Sequence, residues 1–331
     1  MEHTDNIIDL NRDVEPLIVQ GAASRTPFFK DRYKTLQFVH FSDVHAVLDL
    51  WNRMVEYINY YKDYIDFAVH TGDYCGGSQD LYVDFYNYGT RCVRPIFNCV
   101  GNHDTVKGKG WVKNTKQSAH ELLFSHCSDG STGIVNFLDC DYSMTYYKDF
   151  PESNIRMIVL DVYYDTDLQC VWLRDLLRDA REKGMCVLTA MHEPSDFVND
   201  TYGVTFHTKN DYVSLVGKSE QMPFEPIIAE FIAQGGIHIC NLVGHEHHDL
   251  FGLTDAGVLN SAVPCATDWE GWCDGIRRKG TRTYDCFNVV SIDTNLGLLR
   301  IARVGNNRDN FFRSQRALCF DYIHKKVISN D

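Results

Sequence analysis

One pattern restricts how this chain can fold more than any other, and it occurs five times. A short apolar run of strand length ends, and an aspartate, asparagine or histidine follows within a few residues. LQFVHF (36–41) precedes Asp43 and His45, and IDFAVH (65–70) precedes Gly72-Asp73. RPIFNCV (94–100) runs into Gly101-Asn102-His103-Asp104, and MCVLTAM (185–191) runs into His192. IHICNLV (237–243) runs into Gly244-His245-Glu246-His247. Runs of this length read as buried strands. A sixth run, IRMIVLD (155–161), has the same character, and CFNVVSID (286–293) and LLRIARV (298–304) flank a Thr-Asn-Leu-Gly turn as a hairpin.

Between the strands the apolar period changes. Val47, Trp51, Met54, Val55, Ile58 and Tyr61 fall at helical spacing, as do Leu168, Trp172, Leu176 and Ala180, with Gly184 as a C-terminal cap. Ile227, Ile228, Phe231 and Ile232 mark a third helix, and residues 119–124 a shorter one. Alternating strands and helices imply an α/β fold with helices on the sheet faces. Ligand sites in such sheets lie beyond the carboxyl ends of the strands. There the polar motifs would converge.

No linker, repeat or low-complexity tract divides the chain. Residues 1–35 read as an N-terminal extension, 36–305 as the body, and 306–331 as a C-terminal tail packing on it. No apolar stretch reaches the ~18 residues of a membrane span, and the acidic start MEHTDNIIDL lacks the pattern of a secretory leader. Twelve cysteines without a C-x-x-C pair fit reduced thiols, and the expected location is cytoplasmic. The net charge of −13 argues against a nucleic acid as partner. A phosphorylated substrate would need something cationic in the site, and metal ions would supply it.

The polar motifs supply such a centre. Imidazoles with oxygen donors suit Mn, Fe, Zn or Co. Seven donors (Asp43, His45, Asp73, Asn102, His192, His245 and His247) exceed what one ion takes. They suit two ions sharing a carboxylate, about 3.5–4 Å apart. The glycines Gly72, Gly101 and Gly244 would allow the tight turns before the donors. Other histidines, His40, His70 and His238, lie inside strand runs and read as core or supporting residues.

The ordered blocks DVH, GD, GNHD, MHEP and GHEH resemble the calcineurin-like metallophosphoesterase superfamily over roughly residues 36–305. The resemblance implies a β-sandwich flanked by helices in four layers, with a dinuclear site at the carboxyl edge of the strands. It implies two divalent or trivalent ions: one held by Asp43, His45 and His247, the other by Asn102, His192 and His245, with Asp73 bridging. It implies that His103 assists the leaving group and is held by Asp104, while a hydroxide between the ions attacks phosphorus.

Departures narrow the reading. GDYCGG lacks the GD-x-V-D-R-G of the serine/threonine protein phosphatases. Gly76 stands where purple acid phosphatases carry a tyrosine, and His45 where they have glycine. The expected activity is hydrolysis of a phosphodiester or nucleotide. The alternatives are a small phosphomonoester, a nuclease, or a metal-stabilised scaffold without turnover. Candidate substrate contacts are Lys107 after GNHD, and Trp269, Trp272, Arg277 and Arg278 in DWEGWCDGIRRKGTR, a segment suited to stacking and phosphate pairing.

Overall fold

In a computed structural model of the chain, the described residues are 33–74, 87, 89–105, 133–137, 144–163, 166–194, 198–199, 223–247, 250–266, 284–305 and 317–330. The first part runs β1 Leu36–Phe41, α1 Leu48–Tyr60, β2 Phe67–His70, β3 Ile96–Asn98 and the short α2 Asn102–Thr105. Next come β4 Ile134–Asn136, β5 Tyr146–Phe150, β6 Ile155–Val159, α3 Thr166–Glu182, β7 Cys186–Ala190 and β8 Val198–Asn199. Then follow α4 Glu225–Ala233, β9 Ile237–Val243, β10 Leu250–Thr254, β11 Leu259–Ala262, β12 Cys286–Asp293, β13 Leu298–Gly305, β14 Ala317–Asp321 and β15 Lys326–Asn330.

Among the described residues the strands form two mixed sheets, ordered β15-β14-β13-β12-β1-β2-β3 and β4-β5-β6-β7-β9-β11-β10-β8. In the first, β1, β2 and β3 are parallel, with Val39 beside Ala68 and Val69 beside Phe97. In the second, β6, β7, β9 and β11 are parallel. The continuous apolar runs belong to these strands because both of their faces are covered.

The sheets pack face to face. Between them Phe67 stacks on Phe150 at 4.9 Å, and Phe251 meets Phe320 edge-on at 5.1 Å. Helix α1 covers the outside of the first sheet: its buried Trp51 lies 5.6 Å from Phe41, and Tyr57 lies 4.8 Å from Phe287. Helices α3 and α4 cover the outside of the second sheet, where Leu173, Leu177, Ile227 and Phe231 pack on Ile158, Val187 and Val243. Each such buried side chain contributes ~1.5–3 kcal/mol of hydrophobic stabilisation. The result is four layers, helix–sheet–sheet–helix, the architecture expected from the sequence.

The cap after α3 forms as its sequence dictates. Gly184 takes φ +67°, its N–H donates to the Arg181 carbonyl, and the Met185 N–H donates back to Ala180. The chain then enters β7 at once. Arg156, buried in β6, locks this corner by bonding Asp149 of β5, Asp179 of α3 and the Leu176 carbonyl.

The periodicity does not reveal β4, β5, β8, β10, β11, β14 or β15. Residues 306–331 read only as a tail, yet β14 and β15 extend the first sheet beyond β13. Residues 1–32, 306–316 and the helix expected at 119–124 lie outside the described residues.

Candidate metal centre

The parallel strands deliver their carboxyl ends to one rim, and loops from the two sheets are stitched together there. The Asp43 N–H donates to the Gly72 carbonyl at 3.0 Å, and the His45 N–H to the Asp73 carbonyl at 3.1 Å. From the other sheet, the His245 N–H donates to Asp43 Oδ2 at 3.1 Å. His192 Nδ1–H donates to the Thr71 carbonyl at 2.6 Å, which fixes the ring tautomer and leaves Nε2 facing the site.

Two sets of donor atoms converge. In the first, His45 Nε2 and His247 Nε2 lie 2.9 Å apart, with Asp43 Oδ1 at 3.3 Å from His247 and 3.7 Å from His45. Asp43, His45, Asp73 and His247 offer ligand atoms all within 4.8 Å of one another, and all four residues are buried. In the second, Asn102 Oδ1 lies 3.0 Å from His192 Nε2 and 3.1 Å from His245 Nδ1, and those two nitrogens are 3.2 Å apart. Asp73 lies between the sets: its Oδ2 is 3.4 Å from His192 Nε2 and 3.9 Å from His45 Nε2.

The backbone is bent to achieve this. Among the described residues eight non-glycines have positive φ, and five of them are Asp43, His45, Asp73, His245 and His247. Such conformations cost free energy and persist where surrounding structure imposes them. Gly101 is required by proximity: a Cβ there would collide with the Asp73 carboxylate and amide.

Charge and burial fit a cation site. Burial alone would raise both carboxyls, but the imidazoles of His247, His192 and His45 hold Asp43 well below its usual range, and His192 does the same for Asp73. Burial lowers His45 to about 4 and His245 to about 3, so both rings are neutral, the form that ligates a metal. At His192 burial also acts downward, but Asp73 outweighs it and raises the group to about 10. A proton there balances the carboxylates, a task a metal cation would take over. Buried oxygens and imidazoles converging at two points are a donor set for first-row metal ions.

His103 differs from these donors. Its side chain is 17% exposed, against 0–7% for Asp43, His45, Asp73, His192 and His247. Its Nε2 stands 4.0 Å from Asp73 Oδ2, and its ring is edge-on to His45 with centroids 5.2 Å apart. Asp104, which the sequence resemblance assigns to the support of His103, also carries backbone bonds across the rim. Its Oδ2 accepts the N–H groups of Asp73 at 2.8 Å and Gly101 at 2.9 Å, and its Oδ1 accepts that of Tyr74 at 2.9 Å. It fastens the β2 and β3 loops together.

The supporting histidines also fall into place. His40 Nε2 meets Thr71 Oγ1 at 3.1 Å, and His70 Nδ1 accepts the Gly72 N–H at 3.3 Å, so both brace the turn carrying Asp73. His238 is remote and bonds Thr189. Sequence reasoning missed three residues on the rim. Glu193 accepts the Tyr163 hydroxyl at 2.5 Å, Glu246 sits between two candidate ligands, and Cys265 lies beside His45 and His247. Both glutamates stand inside the MHEP and GHEH blocks, whereas nothing in the spacing singles out Cys265. Lys107, Trp269, Trp272, Arg277 and Arg278 lie outside the described residues.

A two-sheet sandwich with this buried His/Asp/Asn rim is a candidate metal centre, and the family match makes the chain a metal-dependent hydrolase of phosphate esters. The calcineurin-like phosphoesterase family model matches residues 36–249, and the chain belongs to that family. No curated protein matches by sequence. Among solved structures, a dimetal phosphatase from Danio rerio is similar at 13% identity and TM-score 0.54, over 84% of this chain and 98% of that one. The Plasmodium inner membrane complex anchor GAP50 aligns at 13% identity and TM-score 0.47, over 84% of this chain and 86% of that one. Among the described residues no helix is long and apolar enough to cross a membrane.

Proposed function

We propose that this chain hydrolyses phosphodiesters, nucleotides included. Asp43, His45 and His247 hold one ion, Asn102, His192 and His245 hold a second, and Asp73 lies between them. When bound, the ions would neutralise the phosphoryl group and activate water as the nucleophile. The protein's own part is to fix geometry and to manage the leaving group. Asp104 sets the distance between the β2 and β3 loops and thereby the position of Asp73 against His192. His103 faces the open side and delivers a proton, or a positive charge, to the departing oxygen.

The observation that carries this reading is the contrast in exposure between His103 and the buried donors beside it. A scaffold without turnover has no use for a partly exposed imidazole beside a metal centre. The diester preference is supported by Glu193, beside His192, whose carboxylate accepts the Tyr163 hydroxyl. An anionic carboxylate on the rim repels a monoester dianion more than a diester monoanion.

The test is His103→Asn, assayed on an aryl phosphodiester and the matching monoester. The variant retains two metals per chain by elemental analysis, and kcat falls by roughly 10²–10⁴-fold. The wild type favours the diester in kcat/KM. Unchanged turnover in the variant refutes the role of His103, and a monoester preference refutes the substrate class.

A further inference from the structure

The first donor set has a further member on its far side. Cys265 Sγ, with His45 and His247, forms a second group whose ligand atoms all lie within 4.8 Å of one another, and all three residues are buried. The cysteine follows β11, and its segment is held rigidly at the rim. The Val263 N–H donates to Val243, the Ala266 N–H to Ser42, and the Cys286 N–H to Ala266. The thiol donates to the carbonyl of Asp43 at 3.0 Å, so sulfur lies directly against the first candidate ligand residue. Cys265 is fully buried, and so is Asp43, whose Oδ1 accepts no hydrogen bond among the described residues.

We infer that Cys265 is a sulfur ligand at the first metal position, entering beside His45 and His247, with which it forms a cluster. This rests on the reading that Asp43, His45, Asp73 and His247 hold an ion there. On coordination the S–H bond breaks, its proton passes to solvent, the hydrogen bond to Asp43 is given up, and sulfur donates its pair to the metal. A thiolate biases the position toward zinc, iron or cobalt and away from manganese. The two positions then differ in chemistry, one containing sulfur and the other only nitrogen and oxygen.

Cobalt(II) tests this without any assay of turnover. Metal-free full-length protein is loaded with cobalt, its stoichiometry is measured by elemental analysis, and its absorption spectrum is recorded alongside that of Cys265→Ser. The expected result is two cobalt ions per chain and a near-ultraviolet sulfur-to-cobalt charge-transfer band. The band is lost in Cys265→Ser, which still binds cobalt and keeps its visible d–d absorption. Two bound cobalt ions with no such band, or a band that survives in Cys265→Ser, overturn the sulfur ligand and leave the dinuclear site standing. A wild type that binds no cobalt overturns both.

Discussion

At the residue scale, neighbouring side chains in one motif are given opposite tasks. Asn102 and His103 face the site, while Asp104 takes three backbone N–H groups. Removing an acceptor from buried donors costs ~1–3 kcal/mol per bond, reduced by partial relaxation. Asp104→Ala should therefore lower the unfolding free energy of the metal-free protein by about 3–5 kcal/mol, measured by urea titration. His103→Ala should lower it by less than about 1 kcal/mol, because the ring is partly exposed and its backbone N–H still reaches Asp73. Equal effects would remove the distinction. The donor residues were legible in the sequence as an ordered set after five strands, since aspartate or asparagine after any one strand is also an ordinary turn residue. The backbone bonds of the Asp104 carboxylate were not legible, since they depend on how two loops distant in sequence approach each other. Cys265 was illegible for the same reason: it reaches the site only because β11 runs parallel to β9.

At the element scale, the parallel strands were the easiest to read and the edge strands the hardest. A strand covered on both faces is a continuous apolar run, as in ICNLV of β9, whereas β15 and β4 are short and partly exposed and look like loops. Helix ends were legible where glycine marks them. Two glycines with different reasons for being glycine separate local from site effects. Gly184 needs its left-handed backbone, but a Cβ there meets nothing within 4 Å, so Gly184→Ala should cost about 1 kcal/mol and leave metal content unchanged. Gly101→Ala drives a methyl into Asp73 and should lower metal content along with stability. Elemental analysis paired with thermal unfolding decides it, and normal metal binding in Gly101→Ala would show that the loop relaxes freely.

At the scale of the whole molecule, burial of histidines within the sheets ties stability to pH. Burial lowers His40, His70 and His238 from 6.5 to about 3. Their pKa values are lower folded than unfolded, so the unfolded chain binds more protons between these limits. The stability they give is complete above pH 6.5 and is lost as pH falls toward 3. His238 is the cleanest probe because it lies far from the metal centre, bonded to Thr189. Below its unfolded pKa it contributes a slope of ~1.4 kcal/mol per pH unit. His238→Gln should reduce the pH slope of urea unfolding in metal-free protein by about that amount, and an unchanged slope would mean the ring is protonated in the folded state.

The two sheets exist, for function, to bring seven donors from five loops to two points on one rim. Anomalous diffraction from crystals of the metal-loaded protein tests this most directly. Two peaks are expected about 3.5–4 Å apart, one among Asp43, His45 and His247 and one among Asn102, His192 and His245, with Asp73 touching both. A single peak, or peaks away from Asp73, would contradict the account.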